Sequence, residues 1–162
     1  MAMDMLAWMV AIPLMGMVTG LRTMTGMAVL CWFSYFGYLP VHHSWAVWTT
    51  RPVTAVIFTV LAVGEYVADK VPQVPARISA GPLLARLFFA GMVGAILASG
   101  LKGSGTEGVI LAELGALIGA FGGYLIRRDV VQKLQCKDWY IGVMEDTVAI
   151  CCAVLAMGVI TG

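Results

Sequence analysis

Apolar residues run along the chain in six blocks, each closed by a short polar or proline-bearing stretch. Met5 to Thr19 is the first, and Gly20-Leu21-Arg22-Thr23-Met24-Thr25-Gly26 interrupts it. Met27 to Leu39 is the second, closed by Pro40, and the loop Val41 to Arg51 carries His42, His43, Trp45 and Trp48. Pro52, a residue type favoured at the first helical position, opens a third block that reaches Ala68. Asp69 to Gly81, with Pro72 and Pro75, reads as a loop. Pro82 opens the fourth block, which ends near Ser99; the fifth runs from Gly108 to Ile126 and the sixth from Tyr140 to Val159. Blocks of about 16 to 20 residues make roughly 24 to 30 Å of helix, just enough to cross the hydrocarbon of a bilayer. The pattern predicts an all-α membrane protein, one transmembrane domain over residues 1–162 built as a bundle of about six short transmembrane helices. The first two blocks are short and joined by a glycine-flanked turn, so a re-entrant hairpin is the alternative to two full crossings.

Composition points the same way. Of 162 residues, 60% are hydrophobic and 12% charged, and the mean hydropathy is +0.91. A soluble domain of this size has too little interior to hide so much apolar surface, whereas a bilayer hides it readily. The net charge of +1 gives no reason to expect nucleic acid as a partner. The four cysteines, Cys31, Cys136, Cys151 and Cys152, form no Cys-x-x-Cys pair and read as small hydrophobes rather than zinc ligands or disulfides. His42 and His43 are adjacent and point different ways, so with Trp45 and Trp48 they read as an interfacial belt and not as a metal site. No phosphate loop, hydrolase triad or zinc-protease motif occurs, and no cofactor is expected.

Charge orients the bundle. If every block crosses, one side receives Arg22, Lys70, Arg77, Arg127, Arg128, Lys133 and Lys137, with Arg86 one turn inside the fourth helix. The other side receives only Arg51 and Lys102. The positive-inside rule then places the rich side in the cytoplasm and both termini outside. Thr19-Gly20-Leu21-Arg22 resembles Ser99-Gly100-Leu101-Lys102, and Gly37-Tyr38-Leu39 recurs as Gly123-Tyr124-Leu125, which raises two inverted three-helix halves, 1–76 and 77–162. Gly115, Gly119 and Gly123 repeat every four residues on the fifth helix, as Gly16 and Gly20 do on the first. Such spacing lets helix backbones approach closely, with packing inside the chain read ahead of a homo-oligomer seam.

The acidic residues carry the candidate chemistry. Glu65 and Asp69 lie four apart, on one face at the end of the third helix, while Glu145 and Asp146 open the sixth. All four reach a similar depth on the cytoplasmic side, where Arg22 joins them. Lys70, Arg77, Arg127 and Arg128 are secondary candidates, as is Glu113, a lone acid entering the fifth helix from the other side. A carboxylate inside the membrane costs about 2.5 to 3.5 kcal/mol on insertion scales unless partners compensate, so such groups are usually kept for function.

Three motifs resemble those of a family of small bacterial inner-membrane proteins, catalogued as domain of unknown function forty-one twenty-six. They are Gly20-Leu21-Arg22-Thr23-Met24-Thr25, then Glu65-Tyr66-Val67-Ala68-Asp69-Lys70-Val71-Pro72 with Pro75-Ala76-Arg77, then Glu145-Asp146-Thr147-Val148-Ala149-Ile150. The resemblance implies a bacterial multi-pass membrane protein and brings no assigned activity. The leading expectation is a small transporter or channel-like protein that binds a proton, a cation or a polar solute at the charged cluster. A membrane enzyme acting on a lipid head group and a non-catalytic assembly factor are the rival readings, and transport is placed ahead of catalysis.

Overall fold

The computed structural model describes residues 7–69, 79–134 and 138–162. The expected loop residues 70–78, with Lys70 and Arg77, and the link at 135–137, with Cys136 and Lys137, lie outside the described residues.

Six α-helices follow the six apolar blocks, and no strand occurs among the described residues. A π-helical turn, Ala7–Ala11, runs into α1, Ile12–Leu21. The widened turn lies just ahead of Pro13, which has no N–H to donate to the preceding turn. Then come α2, Thr23–Tyr35, α3, Pro52–Ala68, and α4, Ala80–Gly100. The chain ends with α5, Gly105–Leu134, and α6, Asp138–Thr161. The polar stretch from Gly20 to Gly26 is not a loop. Arg22 alone leaves the helical region, at φ −138° and ψ 107°, and α2 begins at the next residue.

Among the described residues three helices are long and apolar enough to cross a membrane: Ala80–Gly100, Gly105–Val130 and Trp139–Thr161. Trp8–Leu21 and Pro52–Ala68 are shorter apolar helices. The outward faces of α3, α5 and α6 expose Val56, Val60, Val67, Ile110, Leu114, Ile118, Met144, Val148 and Leu155. Water-soluble monomers rarely expose so continuous an apolar surface.

α1 is the central helix, with Ile12, Met15 and Val18 fully buried. It lies along α5 with backbones nearly touching, because glycines from both helices meet carbonyl groups of the other. A β-carbon on Gly16 or Gly20 would collide with the Ala112 or Ala116 carbonyl, and one on Gly115 or Gly119 with that of Pro13 or Met17. The glycine strip expected on the fifth helix is thus used inside the chain. Gly94 and Gly108 make a second close approach, between α4 and α5. The two halves do not pack alike: α2 lies against α3, whereas α5 and α6 touch only slightly.

The end of the bundle remote from Arg22 is closed by the chain between α2 and α3. α2 stops at Gly37, whose φ of +80° is one that side chains rarely adopt. The Tyr38 and Gly37 N–H groups donate back to the Phe33 and Ser34 carbonyls at 3.0 and 3.1 Å, turning the chain across the bundle. Leu39, Val41 and Ala46 are then buried, with Leu39 seated against Gly100. Ser44 caps the short 3-10 helix Trp45–Thr50, and the Trp45 indole N–H donates to Ser99 Oγ at 3.0 Å.

Candidate functional site

The break at Arg22 has no local cap. Its stabilising group comes from α3, where the Glu65 carboxylate faces the start of α2. Oε1 accepts from the Thr23 N–H and Oε2 from the Met24 N–H, each at 2.9 Å. One carboxylate thus satisfies two amides that a helix start leaves open, and its charge sits at the positive end of the helix dipole. One turn of α3 reinforces the clamp. The Tyr66 hydroxyl lies 2.5 Å from Thr25 Oγ1, and the Arg22 guanidinium carbon sits 5.6 Å from the Tyr66 ring centre. On the other side of the break Thr19 donates to the Met15 carbonyl and packs on Gly26, which draws α1 and α2 together.

Arg22 is the largest fully buried side chain in the core. Its Nη2 lies 2.6 Å from Asp146 Oδ1, 3.0 Å from Asp69 Oδ2 and 3.9 Å from Glu145 Oε2. Arg127, reaching in from α5, donates from Nη1 to Asp69 Oδ2 at 2.7 Å and lies 3.8 Å from Glu145 Oε2. Two glycines make room. The Asp69 and Arg127 tips pass close to Gly142 on α6, and Glu145 lies beside Gly123 on α5. Two arginines from α5 and the α1–α2 junction are therefore interleaved with carboxylates from α3 and α6. Removing an arginine from such a buried network leaves carboxylates uncompensated.

The five principal candidates, Arg22, Glu65, Asp69, Glu145 and Asp146, are brought together, and Arg127 joins them. Arg128 does not. Its side chain is 49% exposed and pairs with its neighbour Asp129 at 3.2 Å. Glu113 stands apart as well, against Gly91 of α4. Arg127 and Arg128 could have been separated from the sequence: position 127 continues the series Gly115, Gly119, Gly123 at four-residue spacing and so faces α1. Tyr66, Thr25 and Gly142 carried no signal beyond adjacency to the acids or a four-residue step from Asp146. Among the described residues no group of three or more His, Cys, Asp or Glu is arranged to hold a metal ion. Arginine nitrogens stand among these carboxylates instead.

Glu65 is fully engaged as a cap, which makes a specific outcome expected. Glu65→Gln should lower the melting temperature, at a cost of about 1 to 2 kcal/mol, because one of the two α2 amides then faces an NH2 group. A thermal melt of the purified variant checks this, and an unchanged melting temperature would show that the cap is dispensable.

No family model, no curated protein and no solved structure matches this chain.

Proposed function

We propose that the chain is a small multi-pass transporter or channel-like protein of a bacterial inner membrane, with its binding site at the Arg22 cluster. The carrying observation is the burial of an arginine at a one-residue helix break, among carboxylates from two other helices. Broken helices beside ionisable groups are the usual construction of solute and ion sites within a bilayer.

Depth supports this reading. Trp139 and Tyr140 stack at 4.0 Å at the start of α6, in the manner of an interfacial anchor. Glu145 lies six residues further on, or on the order of 9 Å deeper along the helix. At the opposite end Trp32, Tyr35, Phe36 and Tyr38 form a second aromatic group. The cluster then sits below the interface, nearer the Lys- and Arg-rich side that the positive-inside rule assigns to the cytoplasm. With α3 to α6 crossing, both termini face outward. The break at Arg22 is level with Glu145, so the tip of the α1–α2 pair ends inside the membrane and the pair resembles a re-entrant hairpin closely packed into the bundle. The inverted repeat rests on its two short sequence matches alone. The resemblance of the three charged motifs to the bacterial inner-membrane family supports membership in it, since those motifs supply the cluster.

Glu145 is the acid to test, because it stands 3.8 to 3.9 Å from both arginines. In proteoliposomes the wild type should move a small polar solute or ion, and Glu145→Gln should lose that flux while keeping its melting temperature. Flux of equal size in the variant would remove the cluster from the pathway. Ser104, exposed between α4 and α5, tests the orientation. A single cysteine placed there should react with an impermeant thiol reagent in intact cells, and labelling only after lysis would reverse the topology.

A further inference from the structure

Arg22 is held in a way that does not suit an arginine. A guanidinium presents a planar fork, and carboxylates that bind one firmly tend to take it two-pronged. Here the oxygens converge on one corner, with Nη2 2.6 Å from Asp146 Oδ1, 3.0 Å from Asp69 Oδ2 and 3.9 Å from Glu145 Oε2. The N–H bonds of Nη2 are not directed in line at these oxygens. Nη2 sits among these oxygens on a side chain only 2% exposed, and neither it nor Nε makes a hydrogen bond of good geometry among the described residues. Three carboxylates from two helices thus surround a point rather than a plane. What fits a point is a compact cation whose donors can turn toward each oxygen in sequence, which describes an ammonium group. The shorter spacings, 2.6 and 3.0 Å, are those of a charged nitrogen hydrogen-bonded to carboxylate.

We propose that Asp69, Glu145 and Asp146 form a site for a primary ammonium group, carried by the ammonium ion or a small alkylamine, and that Arg22 is the tethered cation occupying it at rest. This rests on the reading of the cluster as a binding site and names its ligand class. The exchange conserves charge, since one monovalent cation replaces another at the same oxygens. It also has a mechanical basis. Arg22 is the one non-helical residue between α1 and α2, and rotation about its side-chain torsions re-aims the guanidinium while both helices keep their hydrogen bonds. The clamp of Glu65 on Thr23 and Met24 fixes the second helix during that movement.

The test uses the full chain carrying Arg22→Gln, purified in detergent with tetramethylammonium, which has no N–H, as the background cation. Ammonium, methylammonium and potassium are titrated separately while unfolding is followed. Ammonium or methylammonium should raise the melting temperature saturably, by about 3 to 6 °C at concentrations about tenfold above Kd, and potassium should not. The stronger of the two identifies the ion or the amine head as the natural form. Adding Asp146→Asn should abolish the response. A variant that folds only when ammonium is supplied supports the proposal equally. Equal stabilisation by potassium, no response to any of the three, or a variant that stays unfolded in ammonium overturns it. Liposome flux decides the transport reading independently. An ammonium response with a wild type that moves no solute keeps the site and discards transport, and the reverse outcome discards the ammonium site alone.

Discussion

Gly119→Leu is expected to prevent the protein from accumulating as a folded species. The α-hydrogen of Gly119 faces the Met17 carbonyl so closely that even a methyl group would collide with backbone, and Gly115 meets Pro13 in the same way one turn earlier. Overpacking a core usually costs about 1 to 3 kcal/mol because flexible side chains move aside. Here the obstacle is main chain on the central helix, and relieving it means parting α1 from α5 along their whole contact, so the cost should lie at or above the top of that range. Gly122→Leu is the matched control. No atom lies within 4 Å of a β-carbon at that position, so the same substitution should leave the melting temperature unchanged or slightly raised, as leucine favours the helix. Size-exclusion profiles and melting temperatures of the two variants in detergent make the comparison. If Gly119→Leu matches the wild type in both, the seam between α1 and α5 is not as close as described.

Arg22→Ala should be the most damaging substitution of a charged residue. It leaves Asp146 and Asp69 buried without the guanidinium that lies 2.6 and 3.0 Å away. Breaking a buried ion pair from one side typically costs about 3 to 5 kcal/mol. Arg128→Ala, which removes a half-exposed pair with Asp129, should change stability by no more than about 0.5 kcal/mol. Chemical or thermal unfolding of the two variants side by side measures the difference. Equal effects would mean that the cluster is solvated well enough for burial not to matter.

Much of this architecture was legible in the chain itself. Pro52 and Ala68 bound α3 as the apolar block did, and α4 and α6 lie within two residues of their expected limits. The α5 helix runs about two turns beyond Ile126, because an apolar block marks only the part of a helix that needs an apolar surround, and Arg127 to Leu134 continue the helix with Arg127, Arg128, Asp129, Gln132 and Lys133 among them. The reading of Gly20 to Gly26 as an interruption was right in place and wrong in extent. Glycines at both ends suggested a turn, yet Gly20 and Gly26 serve close packing against Ala116 and Thr19. Only Arg22 departs from the helix. A local rule could not find that, since the group capping α2 is Glu65, more than forty positions away. The convergence of the acids followed from topology alone. The division of labour among them did not, because a capping carboxylate and an ion-pairing one look the same until the helices are in place.

The partners of Arg22 also set a timetable for making the protein. Arg22 emerges with the first hairpin, but Asp146 follows it by 124 residues, on the last helix. At typical synthesis rates the interval is roughly 6 to 25 seconds. Over that time the hairpin carries an arginine at its tip with only the third helix to answer it, so the pair is better suited to waiting in the aqueous insertion machinery than to settling early in lipid. Arrival of the final helix brings Asp146 and Glu145 together beside Arg22 and Arg127. A chain cut short before that helix would carry part of its counter-charge missing at the centre of the bundle, where incompleteness is felt as instability of the whole.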